Sequence, residues 1–249
     1  NQGTRYVVTD IEMATGKFWA MATWYNSTEK QGPYEQIYLV PDNPSMPSSY
    51  NTVTTYTDKY FMTTIARLHN FDGSYTPAGQ VYYIEYTTSS GVGPYPVITS
   101  ATVMDASQAK AAADQYNQQA KPGTGAAAVS SLIIQPSVDV PALSHYRLVH
   151  ESPTDVFSQA PPDVKYVKIF EYVPGARIKG EGIIELPLVS NNGRSFVYRQ
   201  ESANGEFVVP YSTDGNPYEV KATGKYRIVG TGREFSVSED AIMRGLQIS

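Results

Sequence analysis

Three dipeptides in the last third of the chain, Asn192-Gly193, Asn204-Gly205 and Asp214-Gly215, do most to limit what it can fold into. Each supplies residues that tolerate positive φ, the condition for a tight turn between antiparallel strands. Around them stand short alternating runs at 165–173, 178–189, 195–198, 206–210, 219–220, 225–229 and 234–237. Strands at that spacing predict a β-sandwich of roughly 80–90 residues. The composition shifts at Gln159-Ala160-Pro161-Pro162, so the domain boundary is placed there, with residues 1–160 on one side and 161–249 on the other.

The first part has a different pattern. After the strand-like run Arg5-Tyr6-Val7-Val8-Thr9, residues 10–25 lack alternation and are rich in Met, Ala, Phe and Trp, which predicts a helix capped by Asp10. Gly16 in its middle costs about 1 kcal/mol relative to Ala and marks a bend. A second helix is expected over 58–68, ending at the turn His69-Asn70-Phe71-Asp72-Gly73, and a third over 105–120. Strands are expected at 81–87, 97–103, 130–135 and 145–150, with a flexible loop at 123–128. The fold class is therefore α+β: a mixed α/β core with a kinked helix, followed by an all-β, sandwich-like peripheral domain.

Composition narrows function by exclusion. Of 249 residues, 41% are apolar and 17% charged, enough to bury a core. The net charge of −5 argues against a nucleic-acid partner, since few cations are free to neutralise phosphates. With no cysteine, disulfides and thiolate metal sites are excluded. No apolar run reaches the ~20 residues a membrane helix needs. Because the chain enters a strand-like run within five residues, Asn1 reads as a cut inside a longer polypeptide. The 20 tyrosines suit sheet surfaces, where a ring packs on one side and its hydroxyl stays wet.

Catalytic templates are absent. The three histidines, His69, His145 and His150, show no metal-ligand spacing, and no nucleophile elbow or phosphate-binding loop occurs. Neither a catalytic nor a metal site is assigned. One line of residues remains. Asp10, Met13, Lys17 and Met21 fall within an arc of roughly 80° if 10–25 is one continuous helix. A core-facing stripe with a cap and a snorkelling lysine explains them. A contact surface for a group carrying one methyl and one hydroxyl explains them too, with Met as a deformable wall.

The strand Arg5-Tyr6-Val7-Val8-Thr9-Asp10 followed by Met13 and Lys17 resembles the strand and kinked helix of archaeal oligosaccharyltransferases. Asp10-x-x-Met13-x-x-x-Lys17 is similar to a variant of that family's helix motif. The segments 67–73, 141–152, 167–176 and 209–213 resemble family segments in the same order. A rival placement of the motif uses Met62 and Ile65. The resemblance implies an enzyme that moves a glycan from a dolichyl phosphate carrier to Asn in Asn-x-Ser/Thr. It implies a divalent metal, Mg or Mn, held in the membrane half and not in this fragment. The implied partners are the chain's own N-terminal transmembrane domain, an acceptor polypeptide and the lipid-linked oligosaccharide. The implied location is the cell membrane, on its extracellular face. Asp10, Met13 and Lys17 would then stand beside the Ser/Thr pocket. The family's Trp-Trp-Asp-Tyr-Gly signature is missing, so the fragment alone is expected to be inactive. A non-catalytic cell-surface carbohydrate-binding module is the alternative. Asn26-Ser27-Thr28 is itself an acceptor sequon.

Overall fold

The computed structural model describes residues 3–43, 45–87, 92–121, 123–156 and 164–248. In chain order, strand β1 (Tyr6–Asp10) leads into helices α1 (Ile11–Ala14) and α2 (Phe18–Tyr25). Strands β2 (Glu35–Pro41) and β3 (Tyr50–Tyr56) precede helices α3 (Asp58–Phe61) and α4 (Thr64–His69). Next come β4 (Gln80–Thr87), β5 (Val97–Asp105), helix α5 (Ala106–Gln119), β6 (Ala126–Ser130) and β7 (Tyr146–Glu151). The last part holds β8 (Val167–Tyr172), β9 (Ala176–Lys179), β10 (Ile183–Val189), β11 (Ser195–Glu201) and β12 (Glu206–Val209). It finishes with β13 (Lys221–Ala222), β14 (Tyr226–Ile228), β15 (Glu234–Phe235), α6 (Glu239–Arg244) and β16 (Gln247–Ile248). The class is α+β as expected. No described helix is long and apolar enough to cross a membrane.

Two compact units share the chain, and they do not follow a cut at residue 160. Unit 1 is Asn1–Met21, Thr64–Thr76 and Val140–Ser249, while unit 2 is Ala22–Thr63 and Pro77–Asp139. The linker at 159–163 lies outside the described residues. The reason for the different grouping is strand pairing. β1, at the start of the chain, pairs antiparallel with β8, and β8 pairs with β7, so the N-terminal strand is built into the C-terminal unit.

In unit 1, β10 carries β11 on one side and β14 with β15 on the other, while β12, β9 and β16 form a smaller sheet. Their inward residues, among them Ile178, Ile184, Leu186, Phe207, Tyr226 and Ile228, share one apolar core with Leu148 and Phe170. The turn signals act as expected. Asn204 and Gly205 both sit at positive φ, 55° and 74°, at the turn from β11 to β12. The peripheral region is not all-β, because Ser238 caps α6 by accepting from the Ala241 amide at 3.2 Å. Nor do the tyrosines simply face water: Tyr198, Tyr211 and Tyr226 are fully buried. The Tyr226 hydroxyl donates to the Tyr211 carbonyl at 2.9 Å, and the Tyr211 hydroxyl accepts from the Leu148 amide at 2.7 Å. These hydroxyls satisfy backbone groups that would otherwise be costly in a core.

Gly175, between β8 and β9, has φ 76°, and a Cβ there would stand 2.8 Å from Val208 Cγ1 and 3.2 Å from the Val209 carbonyl. Gly193, at φ 80°, has open space around it. Gly175→Ala should therefore cost about 2 kcal/mol or more, against about 1 kcal/mol for Gly193→Ala. Urea unfolding of both variants checks this, and equal losses would mean the backbone beside Gly175 yields freely.

Unit 2 is one five-stranded sheet in the order β3-β2-β5-β4-β6, antiparallel except for the β2–β5 pair. Helix α5 lies on it through Ala109 and Ala113, and Asn117 joins it to β6 by donating to the Ala127 carbonyl and accepting from its amide, both at 2.8 Å. Two local expectations change here. The strand expected at 130–135 lies earlier, at β6, whose first three residues were read as a flexible loop. β3 was not anticipated at all.

Candidate functional site

Thr9, paired with Lys168 across β1 and β8, is the residue before the corner where β1 becomes α1. Asp10 is extended at φ −130° and accepts the Met13 amide at 2.7 Å through Oδ1, the capping role its position predicts. The Ile11 amide donates to the Tyr166 carbonyl at 3.0 Å, continuing the strand pairing into the helix. Ile11, Ala14 and Phe18 are buried and anchor the corner.

The single helix expected over 10–25 is broken. α1 ends at Ala14, and Thr15 takes φ −129° and ψ −97°, outside helical geometry. The Lys17 amide reaches back to the Glu12 carbonyl at 2.7 Å before α2 begins at Phe18. This is the bend that Gly16 foreshadowed, but sharper, and it ends the continuous stripe. Met13 stays at the corner beside Asp10, half-buried. Lys17 is 65% exposed and pairs with Glu12 at 2.7 Å, and Met21 belongs to the second helix. The structure thus brings Asp10 and Met13 together and holds Lys17 apart on its own ion pair. The rival helix breaks as well: Met62 is the C-cap of α3, in the gap before α4, and Ile65 lies within α4.

Beneath the corner lies a group of residues that sequence reasoning did not single out. His69 is fully buried and its Nδ1 lies 3.0 Å from Thr9 Oγ1. The Lys168 ammonium donates to the His69 carbonyl and to Asp72 Oδ1, both at 2.7 Å. Arg194 donates to Asp72 Oδ2 at 2.8 Å and to Glu151 at 2.5 Å. A second set surrounds Arg147, which is 0% exposed. Arg147 donates to Glu171 at 2.7 Å and to Glu239 at 2.6 Å, and Arg5 reaches the other Glu171 oxygen at 2.6 Å. Each set has two cations and two carboxylates, so neither buries a net charge, as a low-dielectric site requires.

The protonation of these groups follows from their neighbours. Burial alone would raise the Asp72 carboxyl, but Lys168 and Arg194 outweigh it and hold it below the usual range. Burial would likewise raise Glu239, and Arg147 with Ser212 reverses the sign. His69 is pushed down to about 4, first by burial and then by the nearby Lys168 ammonium. It is a neutral ring at pH 7, built into the support of β1. The ion pairs satisfy one another, so the clusters do positioning work: they fix the strand that carries Asp10.

Asp10, Met13 and Lys17 line none of three well-formed cavities among the described residues. One of them, about 480 Å³, belongs to unit 2 and is lined by Pro33, Thr57, Lys59 and Lys110 among others. Among the described residues, no group of three or more His, Asp or Glu side chains could hold a metal ion.

With this geometry in hand, comparison with known proteins is informative. Residues 175–248 match the family described as archaeal glycosylation protein B long peripheral domain. The chain is 25% identical to the dolichyl-monophosphooligosaccharide–protein glycotransferase AglB of Haloferax volcanii, over 96% of this chain and 27% of that one. It is 26% identical to the dolichyl-phosphooligosaccharide-protein glycotransferase 3 of Archaeoglobus fulgidus, over 97% of this chain and 30% of that one. It thus spans less than a third of the length of these relatives. An Archaeoglobus fulgidus oligosaccharyltransferase structure, tethered to an acceptor peptide containing the NVT sequon, shares the fold with a TM-score of 0.55 at 19% identity. That match covers 98% of this chain and 31% of that one. The same enzyme with Zn and sulfate gives 0.53 at 23%, over 98% and 33%. Over nearly its whole length the chain is thus similar to these archaeal glycotransferases, and its residues 175–248 carry the match to the long peripheral domain.

Proposed function

We propose that this chain is the outward-facing part of a membrane oligosaccharyltransferase that moves a glycan from a lipid phosphate carrier to the Asn amide of Asn-x-Ser/Thr. In this reading Asp10, Met13 and Lys17 border the pocket for the acceptor's Ser or Thr. The supporting observation is the broken, Asp10-capped corner held on a buried charge network. Such a corner presents Met13 on a fixed backbone, and a fixed apolar wall is what recognition of a single methyl needs. Lys17, outside that corner, is free to exchange Glu12 for an acceptor carbonyl.

The catalytic carboxylates and the divalent ion, Mg or Mn, are assigned to the part of the parent enzyme outside this chain. That part, the proposed transmembrane partner, supplies the lipid-linked oligosaccharide site, and the chain alone transfers nothing. The acceptor polypeptide is the partner that touches this chain directly. One solved Archaeoglobus fulgidus oligosaccharyltransferase structure holds a tethered NVT peptide, and an AglB structure from that organism holds an inhibitory peptide and a dolichol-phosphate, the same classes of partner.

In the intact enzyme, Met13→Ala should raise the KM for sequon peptides more than that for the glycan donor. It should also narrow the preference for Thr over Ser, since one methyl against an apolar wall contributes about 1–3 kcal/mol. Lys17→Ala should raise the peptide KM with donor use unchanged. Equal effects on both substrates, or none, would remove these residues from the acceptor pocket.

A further inference from the structure

The exposed end of α2 carries two large aromatic side chains that nothing in the fold described above explains. Trp24 is 85% exposed and Tyr25 is 94% exposed, among the most open large apolar residues in the protein. Single exposed aromatics are ordinary, but two adjacent ones this bare, on a helix with no charged residue, are costly in water. Directly after them comes Asn26-Ser27-Thr28, all three exposed.

The local geometry presents this sequon. The Asn26 amide donates to the Ala22 carbonyl at 3.2 Å and ends the helix, and the Glu29 amide donates to the Asn26 carbonyl at 3.0 Å and closes a turn. The Asn26 side-chain oxygen accepts from the Thr28 amide at 3.1 Å and from the Thr28 hydroxyl at 2.7 Å. Its Nδ2 makes a long 3.4 Å bond to Glu29 Oε2, whose other oxygen is held by Lys59 at 2.6 Å and Tyr34 at 2.8 Å. The nitrogen is thus tied by one weak, solvent-exposed contact that opens at little cost. The turn lies between α2 and β2, so an extended conformation here disturbs no sheet.

We infer that Asn26 is itself an N-glycan attachment site, and that the first sugar of the glycan lies against the rings of Trp24 and Tyr25. The substrate class is a glycan joined to a lipid phosphate. Asn26 Nδ2 forms a bond to the anomeric carbon, the bond from that carbon to the phosphate oxygen breaks, and the lipid phosphate leaves with the electron pair. The amide nitrogen gives up one proton to a base of the transferase acting on it. A sugar's CH face is apolar and its hydroxyls are polar, so stacking on the rings covers them while the glycan stays hydrated. The same act accounts for both observations, the open sequon and the bare aromatic pair. It requires a sequon-directed transferase in the cell and is independent of any role for Met13 or Lys17.

The test is glycopeptide mass spectrometry on the full-length parent protein purified from its own organism. Sequon peptides of that organism's other surface proteins, in the same cells, serve as the positive control. The expected result is a peptide bearing Asn26 with an added glycan mass, lost in Asn26→Gln and Thr28→Ala and kept in Thr28→Ser. An unmodified Asn26 peptide beside modified control sequons overturns the inference. The stacking is read separately: Tm should be higher for the wild type than for Asn26→Gln, and this difference should vanish in a Trp24→Ala, Tyr25→Ala background. A difference that persists there overturns the ring contact and leaves only attachment at Asn26.

Discussion

Arg147→Met is expected to lower the folding free energy of unit 1 by about 3–5 kcal/mol, the loss seen when one partner of a buried ion pair is removed. The side chains of Arg147 and Glu171 are both 0% exposed. Arg147 holds Glu171 through two nitrogens, at 2.9 and 2.7 Å, and Glu239 through two more contacts, at 2.8 and 2.6 Å. Methionine fills much of the volume but leaves two carboxylates facing an apolar wall. Arg5 remains on Glu171, yet it is 55% exposed and its attraction is weakened by water. Thermal unfolding should show a Tm lower by roughly 6–20 °C for a unit of this size. Adding Glu171→Leu and Glu239→Leu to the same variant should recover most of the loss, because the unpaired charges are then gone. A single-variant loss under about 1 kcal/mol would show that water reaches the cluster and that β7, β8 and α6 are held by the apolar core alone.

That cluster marks the limit of what the sequence could reveal. Asn204-Gly205 encodes its turn locally, so the β11–β12 connection was legible without knowing any partner. Asp105, the cap position, and the Ala-rich run after it gave α5 in the same way. The corner at Asp10 was legible for the cap, since the Asp10–Met13 bond joins residues three apart. The break was only half legible: Gly16 signalled a bend, but the strength of the interruption goes with the burial of Ile11, Ala14 and Phe18 and the packing of α1 on the distant helix α4. The charge clusters were not legible at all. Asp72 and Lys168 are 96 positions apart and meet only because α4, which Asp72 follows, packs beside β1 and β8. Even so, the segments 67–73, 141–152, 167–176 and 209–213, noted for their resemblance to a known family, converge here. They supply Asp72, Arg147, Glu151, Lys168, Glu171 and Ser212. β3 was missed although Thr52, Val53, Thr54 and Thr55 are β-branched.

Acidification should loosen the same unit before the ordinary carboxylate range is reached, and His69 sets the direction. Its folded pKa is pushed down to about 4, from 6.5 when solvated, by burial first and by Lys168 second. Asp72, Asp10 and the Lys165 backbone act in the opposite sense without reversing it. Between those two values the unfolded chain binds a proton that the folded chain refuses, so stability falls as pH falls. A shift of this size corresponds to about 3 kcal/mol lost between pH 7 and 4. Asp72 and Glu239, both held below their solvated values, add further losses as pH falls through their folded pKa values. In unit 2, Glu35 runs the other way: burial raises it, so its contribution is full below the unfolded carboxylate pKa and fades as pH rises through the folded one. The two signs are separable with one variant. Urea midpoints measured at pH 7, 5.5 and 4.5 should fall steeply for the wild type and much less for His69→Gln, which cannot take up the proton. Parallel curves for the two proteins would mean that His69 titrates freely and does not brace Thr9. If the slopes differ as expected, the protonated ring places a second cation against Lys168, directly under the strand that ends in Asp10. The corner at Asp10 is then the part of unit 1 that acid opens first.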